Sequence, residues 1–416
     1  MDLLVMKFGG SSVSTIAKIN RTAEKIMDAK NNGHRVIAVV SAMGKTTDQL
    51  VSLANELSES PNKRDMDMLL STGEQVTISL LSIALREKGC KTVSYTGWQA
   101  GILTENIHGN ARIIDVRKQK IAEQLALDKV VIVAGFQGMT EDGEITTLGR
   151  GGSDTTAVAL AAAFKASKCL ICTDVPGVFT SDPRYIEKAR KLDSVSYDEM
   201  LELANLGASV LHPRAVEFAK NYLIPLEVCS SMENIPGTLI EEEVSMEKNL
   251  VVRGVAFEED ITRISVFWKS HKSMNLASIF SMLAAHHVNV DIIIQSLTNH
   301  DRTNLSFSIK NNDLKETLQV LEENKALLGF EEMEFETGLA KVSIVGSGMI
   351  SNPGVAAEMF QIIDRNHIQM KMVSTSEIKI SAVVEANEML KAANVLHEAF
   401  GLSNKIYEKG LSIQPS

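Results

Sequence analysis

The 416-residue chain has only four cysteines, Cys90, Cys169, Cys172 and Cys229. Cys169 and Cys172 carry half the spacing of a zinc site, but no second pair closes it. The run around them, residues 168–173, reads as a buried strand, so core thiols in a reducing compartment are the better reading. The chain also lacks a block of Lys and Arg. Its net charge is −10 and its pI is near 5.5, which disfavours a nucleic-acid partner or an anionic membrane. No apolar run reaches the roughly 20 residues of a membrane span. The start leads into a strand with no basic-then-apolar segment, which predicts a cytoplasmic protein. Neither H-E-x-x-H nor G-x-S-x-G occurs, and Gly9-Gly-Ser-Ser12 lacks the dinucleotide fingerprint. Gly44-Lys-Thr46 hints at a phosphate loop, but the first glycine of that motif would fall on Val39, inside a strand.

What is present is an ordinary globular composition, 44% hydrophobic and 23% charged, in a chain too long for one core. Two or three domains are expected. Residues 3–8 read as a strand, 16–30 as a helix, 35–41 as a strand, and a further helix starts at Asp48. This rhythm predicts an α/β sheet with parallel pairs. Residues 59–67 read as a polar crossing. A helix opens at Ser71-Thr-Gly-Glu74 with Thr72 at its cap. Residues 96–112 read as loop and 115–127 as helix. Residues 130–137 and 169–173 are dense apolar strands typical of a sheet covered on both faces. The acidic stretch 241–248 reads as a domain boundary.

The most informative stretch is Leu148-Gly-Arg-Gly-Gly-Ser-Asp-Thr-Thr-Ala157, between a strand and an Ala-rich helix over 157–165. Open N–H groups and a helix start suit an anion. Arg150, flanked by glycines, favours a bidentate contact with a carboxylate or phosphate. Asp154 reads either as a helix-dipole partner or as a site residue. Lys7, ending a strand before two glycines, reads as a phosphate ligand or as a snorkelling lysine. Glu74 reads as a helix-start acid or as a receptor for an ammonium. Asp174, Asp182 and Arg184 frame a Pro-Gly loop, as turn residues or near Mg²⁺ or a ribose.

The last third contains a duplication. Ile264-Ser-Val-Phe267 matches Val342-Ser-Ile-Val345, and Ala277-Ser-Ile-Phe280 matches Ala357-Glu-Met-Phe360. Each copy reads β-α-β-β-α-β, a ferredoxin-like unit.

Taken in order, Lys7-Phe-Gly-Gly-Ser11, Ser41-Ala-Met-Gly44, Ser71-Thr-Gly-Glu74, the Gly-rich stretch, Thr173-Asp-Val-Pro-Gly-Val178, Thr180-Ser-Asp-Pro-Arg184, Leu211-His-Pro213 and Ser374-Thr-Ser-Glu377 resemble the aspartate kinases of the amino acid kinase superfamily. The resemblance spans essentially the whole chain. It implies an open, mostly parallel sheet sandwiched by helices over residues 1–245. Two ferredoxin-like ACT domains follow, the first over 264–336 and the second over 250–262 plus 337–416. It implies phosphorylation of L-aspartate by ATP, with Mg²⁺ carried on the nucleotide phosphates.

By the same resemblance, Lys7 with the N–H groups of Gly9 and Gly10 would meet the transferring phosphoryl group. Asp154 would organise the reacting centre. Arg150 would clamp a carboxylate of aspartate, and Glu74 would meet its ammonium. Ser41, Thr47 and Ser153 would line the same pocket. Thr173, Asp174, Phe179, Asp182 and Arg184 would belong to the ATP side, together with Lys7 and Gly10. Asp291, Gln295, Gln369 and Ser376 would contact an effector, lysine or threonine or both. A homodimer or higher oligomer is implied, with a C-terminal regulatory polypeptide starting near Met246. There are departures. Ser209 replaces a lysine of some members and Phe179 a tyrosine. Gln369 and Lys371 stand where asparagine and an acidic residue are frequent. Two alternatives stay open: a kinase of the same superfamily acting on glutamate, carbamate or a nucleotide, and an amino-acid sensor without kinase activity.

Overall fold

The computed structural model describes residues 2–206, 210–242, 251–269, 276–298 and 302–403; Ser209, Met246 and residues 271–275 lie outside that set. The chain divides into two compact units, residues 1–179 with 191–249, and residues 180–190 with 250–416.

In the first unit the described strands are β1 (Leu3–Phe8), β2 (Arg35–Val40), β3 (Thr92–Tyr95), β4 (Ile102–Thr104), β5 (Ile113–Val116), β6 (Val130–Ala134), β7 (Gln137–Met139), β8 (Ile145–Thr147), β9 (Lys168–Thr173), β10 (Ser194–Ser196), β11 (Leu226–Ser230) and β12 (Thr238–Glu241). The helices are α1 (Ile16–Asn31), α2 (Thr46–Leu57), α3 (Lys63–Leu70), α4 (Thr72–Glu87), α5 (Gln119–Ala126), α6 (Gly152–Phe164), α7 (Tyr197–Asn205) and α8 (Pro213–Tyr222).

Eight strands form one sheet in the order β10-β12-β11-β9-β1-β2-β6-β3, parallel except for β11 against β12. The chain leaves β1 towards β2 and later returns to its other side with β9. That places a topological switch point beside β1, where open α/β sheets hold their ligands. Strand alternation decides which side chains go where. Met6 and Phe8 join Val36, Ala38, Val40 and Ile132 in a core that also holds Ile19 and Ile26 of α1 and Ile78, Leu81 and Leu85 of α4. Lys7, between Met6 and Phe8, therefore faces the other side of β1, where α6 packs.

Four differences from the sequence expectations have physical reasons. Residues 59–67 are not a crossing, because Asn62 caps α3 by accepting from the Arg64 N–H, and Met66, Leu69 and Leu70 supply a helical apolar face. The cap of α4 is Ser71 rather than Thr72. The run Lys63–Glu87 is long and apolar enough by composition to cross a membrane, yet here it turns at Ser71 and α4 packs into the core. Residues 96–116 hold β4 and β5, which join β7 and β8 in a small second sheet, and the following helix starts only at Gln119. Finally, α6 begins at Gly152, five residues before the expected start, so Ser153 and Asp154 sit in its first turn.

The second unit is one antiparallel sheet, β14-β15-β13-β16-β18-β17, of β13 (Gly254–Lys269), β14 (Ile293–Thr298), β15 (Arg302–Lys310), β16 (Glu332–Val345), β17 (Met372–Thr375) and β18 (Lys379–Glu385). Its helices are α9 (Leu276–Ala285), α10 (Leu314–Glu323), α11 (Lys325–Leu328), α12 (Val355–Arg365) and α13 (Met389–Ala399). β13 and β16 serve both copies of the duplication. The first half of β13, Gly254 to Glu258, pairs with Val345 to Lys341. Its second half pairs with the start of β16 and with β15. An irregularity between Glu258 and Arg263, with Asp260 at φ 60, separates the halves. Each half is thus a four-stranded ferredoxin-like pattern with its own apolar core, around Trp268 and Phe307 in one and Val342 and Met359 in the other.

Candidate active site

A cavity of about 770 Å³ opens at the C-terminal ends of β1 and β2 and the start of α6. Lys7, Gly10, Ser41, Thr47, Glu74, Arg150, Ser153 and Asp154 all line it. Eight of the residues expected at the site, drawn from seven separate elements and turns, therefore share one cleft.

Lys7 Nζ lies 2.6 Å from Asp154 Oδ1, and both side chains are about nine-tenths buried. The contact exists because β1 turns Lys7 towards α6 and the early helix start turns Asp154 back. Two glycines permit the close packing. A Cβ on Gly10 would lie 2.9 Å from the Ala42 carbonyl oxygen, so only glycine lets the first turn meet the second, where Gly44 N–H donates to Gly10 O at 3.0 Å. Gly151 sits at φ 69, and a Cβ there would fall 2.2 Å from the His212 ring. Gly9 N–H reaches the Cys172 carbonyl at 3.4 Å.

Glu74 is buried at the start of α4. Its Oε1 accepts the Ala42 N–H at 3.0 Å, while Oε2 is buried without a hydrogen-bond partner. Burial pushes its pKa up to about 7, against the pull of the N–H groups of Glu74 and Ala42. A buried acceptor lacking a donor, in a cavity also lined by Arg150 and Lys7, is built for a ligand carrying a cation next to anions. Arg150 is exposed at the cavity wall.

Asp67, His108 and Arg214, which sequence reasoning missed, hold the walls. Asp67, fully buried on α3, accepts from His108 Nδ1 at 2.7 Å, from Gly109 N–H at 3.1 Å and from Thr147 Oγ1 at 2.5 Å. Arg214 donates to Asn110 Oδ1, Leu148 O and Ala111 O at 2.9, 2.7 and 3.1 Å. Burial, with Arg112 nearby, lowers its pKa from the usual value. The Asn62 cap and the Leu211-His-Pro213 run ahead of Arg214 were the available signals.

The remaining expected residues do not line this cavity. Thr173 Oγ1 donates to Asp174 Oδ1 at 2.9 Å, and Phe179 bridges to Lys191. Asp182 and Arg184 belong to the second unit, where the Arg184 guanidinium and N–H both engage the Asp182 carboxylate. Asp291 and Gln295 lie in or beside the edge strand β14, whereas Gln369 and Ser376 flank β17 at the opposite edge. Five strand spacings, about 24 Å, separate the two edges within one chain.

The sheet, the switch-point cavity and the paired ferredoxin-like units define an amino acid kinase carrying ACT domains. The amino acid kinase family matches residues 2–230, and the ACT domain matches residues 342–400. More narrowly, the chain belongs to the aspartokinase family. It is 66% identical over 403 residues to an aspartokinase of Bacillus sp. (strain MGA3), covering 97% of this chain and 98% of that one. It is 64% identical, with the same coverage, to aspartokinase 2 of Bacillus subtilis (strain 168). The solved structure of E. coli aspartokinase III in complex with aspartate and ADP (R-state) superposes with a TM-score of 0.79 at 27% identity, over 96% of this chain and 99% of that one. The chain is an aspartate kinase of amino-acid biosynthesis that binds a nucleotide and phosphorylates L-aspartate.

Proposed function

We propose that the cavity at β1 and α6 is where phosphoryl transfer occurs, with Glu74 and Arg150 holding aspartate and Lys7 meeting the phosphoryl group. The observation that carries this reading is Glu74 Oε2, a buried oxygen without a donor, which an ammonium satisfies. Arg150 supplies a planar fork for a carboxylate. Ser41, Thr47 and Ser153 add short polar contacts from the same walls. The attacking carboxylate is ionised at neutral pH, so no base is needed. One of its oxygens bonds to the γ-phosphorus as the bond to the ADP oxygen breaks, and no proton moves. Catalysis is then alignment plus cancellation of repulsion between two anions. Lys7 supplies the cancelling charge with the backbone N–H of Gly10, while the Gly9 N–H is already engaged by the Cys172 carbonyl, and Asp154 holds the Lys7 ammonium in place.

Thr173, Asp174, Phe179, Asp182 and Arg184 take the ATP side in this reading, supported by the Thr-Asp-Val-Pro-Gly and Thr-Ser-Asp-Pro-Arg motifs. No cluster of three His, Cys, Asp or Glu side chains suited to a metal occurs among the described residues. In this reading Mg²⁺ is carried on the ATP phosphates, as the resemblance implies. The solved E. coli aspartokinase III with lysine and aspartate supports lysine as an effector class, with threonine as the alternative. Asp291, Gln295, Gln369 and Ser376 are the proposed contacts. Because β14 and β17 are opposite edges, residues of the two sets meet only when edges of two chains associate, which supports a homodimer or larger assembly. The domain limits remain those drawn above, with a regulatory polypeptide from Met246 and a cytoplasmic setting as further parts of the proposal. The four cysteines are buried and free, which fits that setting.

Hydroxylamine converts an acyl phosphate to a hydroxamate, so trapping reads the product directly. Wild type with ATP and aspartate should yield hydroxamate, glutamate should yield far less, and Lys7→Ala should lower the yield rate by roughly 100-fold. A Lys7→Ala enzyme with unchanged turnover contradicts the assignment.

A further inference from the structure

His108 lies outside every motif that led to the family, yet it lines the cavity that holds Glu74 and Arg150. Its Nδ1 is 2.7 Å from Asp67 Oδ2, and its side chain keeps one-fifth of its surface exposed while Asp67 keeps none. Asp67 is a buried carboxylate with no Lys or Arg in hydrogen-bond contact among the described residues. Its oxygens are spent on His108, on Gly109 N–H and on Thr147 Oγ1. One carboxylate thus ties three segments together: α3, the loop carrying His108, and the end of β8 just before the Gly-rich turn. Arg214 reinforces the same junction through Asn110, Ala111 and Leu148.

Such a carboxylate fixes both the orientation of the ring and the nitrogen that carries the proton towards it. With Nδ1 committed, Nε2 is the nitrogen left for a ligand, and no described residue hydrogen-bonds it. The loop is also tied to the turn bearing Arg150, since Ala111 N–H donates to Thr147 O at 2.9 Å. We propose that His108 is a substrate-binding residue whose Nε2 meets the polar head of the acceptor amino acid, and that Asp67 is the positioning residue that aims it. This rests on the reading of the cavity as the aspartate site.

Steady-state kinetics on the full chain test it. His108→Asn keeps a donor for Asp67 but loses the far side of the ring, whereas His108→Gln reaches the Nε2 position. His108→Asn should raise KM for aspartate roughly tenfold or more while KM for ATP stays within about twofold. His108→Gln should recover most of that loss. Asp67→Asn should raise KM for aspartate too, and add nothing in combination with His108→Asn. Should Asp67→Asn fail to fold, the two His108 variants decide the contact by themselves. Arg150→Ala serves as the control. A raised KM for aspartate in Arg150→Ala with none in His108→Asn overturns the His108 contact and leaves the aspartate site standing. No rise in either variant overturns both. Effects that multiply in the double variant overturn the positioning role of Asp67.

Discussion

Lys7 Nζ and Asp154 Oδ1 lie 2.6 Å apart across the junction of β1 and α6. In the proposed reading Lys7 meets the phosphoryl group, and its ammonium is paired with a neighbour that also fixes its position. Asp154→Asn should therefore leave Lys7 poorly placed, lowering kcat by roughly 10- to 100-fold with smaller changes in either KM. Lys7→Ala should cost more, roughly 100-fold or above. A coupled ADP-release assay checks both, and an Asp154→Asn enzyme with wild-type kcat removes the organising role.

Glu74 sets a pH dependence. Its folded pKa, pushed by burial to about 7, means that the carboxyl group is neutral below that pH and cannot pair with an ammonium. KM for aspartate should rise as pH falls through about 7, and Glu74→Gln should show a high, flat KM. Stability carries the opposite sign. Between the ordinary value near 4.5 and about 7 the folded chain holds more protons at this group than the unfolded chain, so its contribution falls as pH rises through that window. The loss is on the order of 3 kcal/mol. The Tm of Glu74→Gln relative to wild type should therefore be higher at about pH 8 than at about pH 5. Equal differences at both pH values contradict the burial argument.

Gly151→Ala forces a side chain into a left-handed backbone position and against the His212 ring. Strain and overlap together should lower stability by roughly 2 kcal/mol and displace Arg150 next door. Thermal denaturation and KM for aspartate should both worsen, whereas Gly143→Ala, also at positive φ but with open space around its Cβ, should lose stability alone.

In the second unit, burial pulls the Lys341 pKa down, but the carboxylates of Glu258 and Asp291 outweigh it and hold the ammonium above its usual pKa. Asp291→Ala should thus remove one of two partners and alter effector response while basal kinase activity persists. Calorimetry with lysine and threonine, singly and together, reads this. An effector isotherm identical to wild type removes Asp291 from the effector site.

Much of this organisation was legible in the sequence, and the exceptions share a cause. The parallel strands and the duplication follow from period-2 and period-3.6 patterns that local residues impose. The start of α6 did not, because Gly151 and Gly152 argue against helix on propensity, while a Cβ on Gly152 would lie 2.9 Å from Leu148 Cβ. Tertiary contact decides there. Asp67 was hidden in Lys63-Arg-Asp-Met-Asp67, whose charges read as a solvated crossing, although its acid is the most enclosed of them. Residues 250–262 and the stretch from 264 read as parts of different domains, whereas one strand, β13, runs through both with an irregularity between Glu258 and Arg263. Glu74 and Arg150 were recognisable as candidates, but the burial of Glu74 Oε2 without a donor is visible only in three dimensions.

The most direct test of the aspartate site is a comparison of KM values in Arg150→Met, which removes the fork while keeping side-chain bulk. KM for aspartate should rise roughly 10- to 100-fold, with KM for ATP within about twofold. A rise in KM for ATP with KM for aspartate unchanged would place the nucleotide, not the amino acid, at Arg150 and contradict the assignment of this cavity.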